Sequence, residues 1–227
     1  SANENEEEEI TGLSHFFEHL MFRGTERHPD YFDEIARMGG QLNAFTWLDE
    51  TVYWEKLPSK FLDTAIEMEA DRIKNLKMDF LNFEPEREVV KSERLMRTEN
   101  DPAGKLDEAL HAVAFRKSPY KWPTVGWMKD LISIPIHKAE KYYKAHYVPE
   151  NLYAVFVGDI DPDDVLKKME IHFSGLRGNP PPPEPDLSEP PQFKERQLAV
   201  LMGVKTPIVQ ILFPTPPAAS KEMARLE

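Results

Sequence analysis

Two histidines and a glutamate near the start of the chain have the types and the spacing needed for metal-dependent hydrolysis. His15 and His19 are four residues apart, so on a helix both imidazoles project from one face and can bind the same ion. Glu18 follows His15 by three residues and lies beside that face, which gives the order H-x-x-E-H. Neutral imidazoles suit zinc, and a carboxylate next to the ion can accept a proton from the water that the metal activates. The alternative is an amphipathic helix that carries two histidines on its polar edge.

A third metal ligand could come from a later helix, which Pro85 is expected to open. A catalytic zinc usually has three protein ligands and one open position, and the absence of cysteine leaves His, Asp or Glu for the third. Glu86 and Glu93 are seven residues apart, so both carboxylates lie along one stripe of that helix. The alternative for this pair is a solvated charged face. The other histidines lack ligand spacing, and we expect surface or satisfied core positions for His28, His111, His137, His146 and His172.

The elements that must position these side chains mix helices and strands without regular alternation. Apolar spacing over residues 12–22 predicts an early helix, and the helix that Pro85 opens is expected to end near residue 99. The β-rich segments 41–48 and 51–57 predict a hairpin. We therefore expect an α+β fold in which helices pack on one face of a mixed, largely antiparallel sheet.

Apolar residues outside the helices are expected to complete the sheet and the core. The run at 153–158 predicts a buried strand. Trp47 and Trp54 are expected in the core.

Proline divides the chain into two expected domains. Residues 1–178 are expected to form the domain that holds the metal site, and the proline-rich segment 179–193 predicts a stiff, extended linker. Residues 194–227 contain two strand-like segments, 197–204 and 208–213, and the beginning of a helix from Ser220 onward. Because so few elements cannot bury a core, we expect them to be the truncated start of a second, similar domain.

The composition excludes several classes of function. The 227 residues are 41% hydrophobic and 30% charged, enough for a core and a polar surface, so wholesale disorder is excluded. There are 28 Lys and Arg against 40 Asp and Glu, and the net charge of −12 disfavours non-specific binding to nucleic acid or to anionic membranes. Without cysteine, disulfide scaffolds, thiolate metal sites and cysteine nucleophiles are excluded. No apolar run approaches the roughly 18 residues of a membrane span.

Several blocks of sequence follow one another in an order that a known family shares. They are Gly12-Leu-Ser-His-Phe-Phe-Glu-His-Leu-Met-Phe-Arg-Gly-Thr25, then Gly39, Gly40, Asn43, Ala44, Thr46, Asp49, Thr51 and Tyr53, then Glu86-Arg-Glu-Val-Val-Lys-Ser-Glu93, and finally Gly158-Asp159. Together these blocks resemble the pitrilysin/insulinase-type zinc metallopeptidases. That family includes bacterial zinc proteases and mitochondrial processing peptidase subunits.

The resemblance implies a role for each candidate residue at the metal. By it, His15, His19 and Glu93 bind one zinc ion per chain and Glu18 is the general base. Glu86 becomes a supporting carboxylate near the site instead of a ligand. The implied activity is that of a zinc-dependent endopeptidase. A non-peptidase zinc hydrolase on a related fold would need a cysteine near the metal, and the chain has none.

The resemblance also implies how a substrate is held and what the chain works with. An extended peptide is expected to add to the strand edge at Asn43, Ala44 and Phe45, where backbone pairing supplies the binding. Substrates would be peptides or unfolded proteins, and partners a second copy or a complementary family subunit. By comparison with the family, the first strand of the domain is expected to be missing and the second half barely begun.

Two further expectations follow from the family. A bacterial periplasmic or exported location is favoured over a cytoplasmic one. The alternative function is a catalytically silent member that acts as a partner or structural peptide-binding subunit. Relatives of that kind usually lose a ligand or the base, whereas His15, Glu18, His19 and Glu93 are all present here.

Overall fold

Helices dominate the residues that the computed structural model describes, which are 10–178, 180–183, 186–217, 220, 221 and 223. The α-helices are α1 (Leu13–Leu20), α2 (Tyr31–Arg37), α3 (Leu62–Asn75), α4 (Phe80–Arg94), α5 (Pro102–Ala114), α6 (Met128–Ser133), α7 (Ile136–His146) and α8 (Pro162–Phe173). The strands are β1 (Gln41–Thr46) and β2 (Thr51–Lys56). This combination confirms the expected α+β class. In the described part of the chain, no helix combines the length and the apolar character that crossing a membrane requires.

The two strands form an antiparallel hairpin, as predicted. Its register runs from Gln41 opposite Lys56 to Thr46 opposite Thr51. Just beyond the ladder, Trp47 N donates to Glu50 O at 2.8 Å. Because bonded and non-bonded pairs alternate in an antiparallel ladder, the backbone groups of every second residue of β1 point away from β2. They belong to Leu42, Ala44 and Thr46, and no described strand pairs with this edge.

Helix α1 lies in the main core, and its aromatic residues set its rotation. Phe16 packs against Phe83 of α4, with ring centroids 4.8 Å apart. Phe17 stacks on Tyr142 and Tyr143 of α7. Both phenylalanines are fully buried. Since these side chains hold the apolar face inward, they fix the rotation of α1 about its axis and thereby the direction of the face that carries His15 and His19.

The start of α1 is fixed by a close approach between two loops. Gly12 precedes the helix with φ of 85°, and a Cβ there would lie 2.5 Å from the carbonyl oxygen of Val125. Only glycine satisfies both the backbone angle and the contact. Beside it, Asp130 accepts hydrogen bonds from Thr11 N at 3.0 Å and from Thr11 Oγ1 at 2.7 Å. The N-terminal end of α1 is therefore tied to α6.

Helix α4 begins five residues earlier than predicted, since it starts at Phe80 and not at Pro85. The Asp79 side chain caps the new start by accepting from Asn82 N at 3.0 Å. Phe83, fully buried against α1, stabilises the extra turn. Pro85 lies on the exposed side, where solvent can satisfy the carbonyl that its missing N–H leaves free.

The predicted buried strand at 153–158 is wrong. Among the described residues the segment forms no strand, and Tyr153, Val155 and Val157 are between 86% and 96% exposed. The segments 197–204 and 208–213 likewise contain no strand. An apolar run becomes a buried strand only where another strand pairs with it, and the described residues supply no such neighbour.

The sequence also predicts a division into two domains joined by the proline-rich segment 179–193. Much of the helix expected from Ser220 onward lies outside the described residues. The boundaries at residues 178 and 194 stay a prediction.

Candidate metal centre

Helices α1 and α4 bring His15, His19 and Glu93 together. Among the described residues these three form the single group of histidines and acids whose ligand atoms lie within reach of one ion, all within 4.8 Å of one another. Glu93 Oε2 is 3.1 Å from His19 Nε2 and 3.6 Å from His15 Nε2. His15 is buried, and the other two side chains are partly buried. Residues separated by more than 70 positions in sequence thus meet at one point.

The donor set fits a catalytic zinc ion. Two imidazole nitrogens and one carboxylate oxygen are a known three-ligand set for such sites, with zinc about 2.0–2.2 Å from each donor. In a tetrahedral arrangement, donors at that range are about 3.3–3.6 Å apart. The two separations from Glu93 Oε2, 3.1 and 3.6 Å, are close to this interval, and all three donor atoms lie within 4.8 Å of one another.

Glu86 binds the Nδ1 side of the His19 ring, whereas Glu93 faces Nε2. Glu86 Oε1 accepts from His19 Nδ1 at 2.8 Å, and its Oε2 accepts from Arg23 Nε. A carboxylate bound to Nδ1 fixes the tautomer in which Nε2 is free to bind a metal. For His15 the ring has no equivalent support, since Nδ1 has no hydrogen-bond partner among the described residues.

Glu93 is oriented by a residue that the sequence did not single out. Arg97 Nη1 lies 2.8 Å from Glu93 Oε1, which leaves Oε2 directed at the two histidines. Arg97 belongs to a π-helical turn, Leu95–Glu99, that continues α4. Such turns are often found at functional sites because they redirect side chains at the end of a helix. The residue could not be identified from spacing, because α-helical periodicity does not predict the π-turn.

Strong electrostatic coupling characterises the cluster without metal. Burial opposes charge on His19, but hydrogen bonds to Glu86 and Glu93 outweigh it and raise the pKa of His19 to about 9. The imidazoles of His15 and His19 hold the pKa of the Glu93 carboxyl well below its usual range. Burial acts in the opposite direction on Glu86, yet its bonds to His19 and Arg23 keep its pKa below the ordinary value. Because metal ligands must be deprotonated, zinc affinity at this cluster should fall as pH falls.

Glu18 lies beside the ligands on the same helix and lines the same cavity. Its Oε2 accepts a hydrogen bond from Thr46 Oγ1 at 2.6 Å. Thr46 belongs to a sequence block noted above, but its role could not be read from the sequence because the contact joins β1 to α1.

An open cleft of about 1130 Å³ surrounds the cluster. One wall is β1 with the turn that follows it, and the opposite wall is α4 with the π-turn. Asn43, Ala44 and Phe45, the expected peptide-binding residues, all line it. Trp47 and Trp54 are 65% and 42% exposed, so their predicted core position is wrong. Trp47 lines the cleft instead.

A His₂Glu cluster with an adjacent carboxylate is typical of metal-dependent hydrolases. Comparison with known sequences narrows this class. The family model "Insulinase (Peptidase family M16)" matches residues 2–126, and "Peptidase M16 inactive domain" matches residues 133–227. The chain belongs to this peptidase family.

Curated relatives are similar over most of the chain. Zinc protease PqqE of Helicobacter pylori is 31% identical over 231 residues, covering 100% of this chain and 52% of that protein. The beta subunit of the human mitochondrial-processing peptidase is 31% identical over 170 residues, covering 74% and 35%. Subunit 1 of the bovine cytochrome b-c1 complex is 30% identical and covers 76% and 36%. The chain thus spans about half, or less, of the length of these relatives.

Solved structures share the fold. A protease from Helicobacter pylori superposes with a TM-score of 0.79 and 32% identity, covering 84% of this chain and 47% of that one. The periplasmic protease PqqL from Escherichia coli gives a TM-score of 0.74 at 23% identity, covering 84% and 22%.

Proposed function

We propose that the chain carries the catalytic unit of a zinc metalloendopeptidase that hydrolyses extended peptides. The observation that carries the proposal is the meeting of His15, His19 and Glu93 at a cleft of about 1130 Å³ that Glu18 also lines. Relatives named as zinc proteases support it.

One zinc ion per chain would be held by His15 Nε2, His19 Nε2 and Glu93 Oε2. When bound, zinc supplies a Lewis acid that activates water and polarises the scissile carbonyl. Glu18 accepts the proton of the attacking water and returns it to the leaving amine. Glu86 holds His19 in the tautomer that leaves Nε2 free, and Arg97 holds Glu93.

The substrate would bind as an additional strand along the free edge of β1. Alternating N–H and C=O groups of this edge, including those of Ala44, are available for backbone pairing, which accepts many sequences. Asn43 Oδ1 accepts from Ala44 N at 2.9 Å, so an incoming strand would replace this local bond. Phe45, 48% exposed, would contact a substrate side chain.

Partners of the chain follow from the same proposal. A second copy or a complementary subunit would complete the chamber around the peptide, and relatives named as peptidase subunits support this assembly. The exported or periplasmic location stays a prediction.

The alternative is a catalytically silent subunit that uses the cleft to bind peptides. It is favoured by one observation, that a relative 30% identical to the chain is named as a subunit of the cytochrome b-c1 complex. Retention of both histidines, the base and Glu93 favours the peptidase.

Replacement of Glu18 distinguishes a peptidase from a catalytically silent subunit. We expect Glu18→Gln to retain one zinc per chain, measured by elemental analysis, and to cleave an internally quenched unfolded peptide at least about 100-fold more slowly than wild type. Because curated relatives are longer, the assay uses the longest natural form of the protein. Cleavage by wild type should stop with a zinc chelator and return with added zinc.

The matched control is Glu170→Gln, which removes an exposed carboxylate of α8, a helix that contributes no residue to the cleft. It should cleave at the wild-type rate. If Glu18→Gln cleaved as fast as this control, the role of Glu18 would be wrong. If wild type bound zinc but cleaved no peptide, the silent-subunit alternative would be favoured.

A further inference from the structure

Two threonines of the hairpin form a hydrogen-bonded chain that ends on the carboxylate of Glu18. Thr46 Oγ1 is 2.6 Å from Glu18 Oε2 and 3.2 Å from Thr51 Oγ1. Thr46 and Thr51 are directly opposite each other at the end of the ladder. Theirs is a non-hydrogen-bonded backbone pair, in which opposing side chains lie closest, and hydroxyl contacts are common at such positions.

The direction of this chain follows from counting protons. A carboxylate that is to accept a proton in the reaction must be ionised, and it can then only accept hydrogen bonds. The single hydroxyl proton of Thr46 is therefore committed to Glu18. The contact between the two threonines must then be donated by Thr51, so the order is Thr51 to Thr46 to Glu18.

We propose that Thr46 is a positioning residue for Glu18, and that Thr51 sets the direction in which Thr46 donates. The hydrogen bond occupies Glu18 Oε2, whereas Oε1 has no hydrogen bond among the described residues. Holding one oxygen leaves the other fixed in place to receive the proton of the attacking water. This inference rests on the proposed function, in which Glu18 is the base.

Threonine is suited to this task by its stiffness. Its β-branched side chain has few χ1 rotamers in a strand, so a hydroxyl on β1 is held with little rotational freedom. The side chain of Thr46 points to α1 while its backbone groups point to the free edge of β1. A side-chain substitution can therefore change the orientation of Glu18 without removing any backbone group that pairs with a peptide.

The test compares Thr46→Val with Thr46→Ser. Valine keeps the shape of threonine but cannot donate, so we expect kcat to fall about 10- to 100-fold with KM within twofold of wild type. Serine keeps the hydroxyl and should restore kcat to within about threefold of wild type. Thr51→Val removes only the outer bond and should lower kcat by about threefold. Zinc affinity should equal that of wild type in all three variants, because Thr46 and Thr51 contact no ligand.

A second readout does not depend on activity. In crystals of the zinc-free protein, the Glu18 carboxylate should occupy one conformer in wild type and in Thr46→Ser, and more than one in Thr46→Val. Melting temperatures measured in parallel verify that each variant is folded.

Several results would overturn the positioning role. They are a Thr46→Val enzyme with wild-type kcat, a defect confined to KM, and a Thr46→Ser enzyme as slow as Thr46→Val. If wild type itself cleaved no peptide, the proposed function would fail first, and the crystals would decide the positioning role. A single Glu18 conformer in Thr46→Val would then contradict it.

Discussion

Glu86 and Glu93 lie two turns apart on α4, yet their carboxylates have different partners. Glu93 directs one oxygen at His15 and His19, and Glu86 binds the far nitrogen of His19 together with Arg23. The small rotation of the helix over seven residues is enough to direct one carboxylate at Nε2 of both histidines and the other at Nδ1 of His19. Two glutamates that look equivalent in a helical pattern therefore have different expected roles.

Zinc affinity should separate these two glutamates. We expect Glu93→Ala to abolish measurable zinc binding, because it removes one of three donors. Glu86→Ala should weaken binding by about 10- to 100-fold, because it removes only the support of a ligand. Competition with a coloured chelator measures both effects. The control is Glu86→Gln, whose amide oxygen can still accept from His19 Nδ1 and should recover much of the loss. Full affinity in Glu93→Ala with none in Glu86→Ala would reverse the assignment.

For single residues, sequence spacing predicted the pair of histidines, but it did not predict the side chains that orient the cluster. The pair His15 and His19 was predictable because four residues on one helix have a fixed geometry. Glu93 needed the resemblance to a family, since spacing alone left Glu86 equally suitable. Thr46 and Arg97 could not be assigned contacts from the sequence, because one depends on the packing of β1 against α1 and the other on a π-turn.

Packing of helix and strand side chains creates a second charged cluster, on the face of the hairpin that also carries Thr46 and Thr51. Arg72 of α3 is fully buried over the ring of Tyr53, 4.6 Å from its centroid, and its Nη2 lies 2.6 Å from Glu69 Oε1. Glu55 of β2 adjoins this pair. Burial, together with the neighbouring carboxylate of Glu69, raises the pKa of Glu55 to about 9. Packing of β2 on α3 thus keeps one carboxyl protonated at neutral pH.

The stability of the fold should fall with rising pH because of Glu55. In the unfolded chain this carboxyl ionises near its ordinary pKa of 4.5, so between that pH and about 9 the folded state binds one more proton. Stability is then lost as pH rises, by up to about 1.4 kcal/mol per pH unit. Glu55→Gln, which resembles the protonated acid, should be as stable as wild type near pH 5 and more stable at pH 8.

Urea unfolding at pH 5, 6, 7 and 8 measures this difference. The difference between their free energies of unfolding at each pH cancels the contribution of His15 and His19, which both proteins contain. Glu88→Gln, an exposed change, should follow wild type throughout. Parallel curves for Glu55→Gln and wild type would show that Glu55 is ionised in the folded protein.

Helices and strands that depend on residues adjacent in sequence were predicted. Those that depend on contacts with residues distant in sequence were not. The hairpin and α1 follow from residues adjacent in sequence. The start of α4 was misplaced because the buried contact of Phe83 with α1 and the cap at Asp79 outweigh the proline signal. The segment 153–158 has the composition of a strand, but composition does not specify a pairing partner.

For the whole molecule, the α+β class and the family were predictable, and the extent of the sheet was not. Two family models match one after the other along the chain, over residues 2–126 and 133–227. The relatives are about twice as long as the chain, or more. The cleft is open, so the size and charge of the chamber around a peptide depend on what covers it. The candidate metal ligands His15, His19 and Glu93, in contrast, all lie on α1 and α4.

Diffraction at the zinc absorption edge tests the central claim most directly. Crystals of the protein loaded with zinc should give one anomalous peak per chain, about 2.0–2.2 Å from His15 Nε2, His19 Nε2 and Glu93 Oε2. The same crystals soaked with a chelator should lose it. A chain with no peak, or a peak elsewhere with Glu93 turned into bulk solvent, would contradict the account.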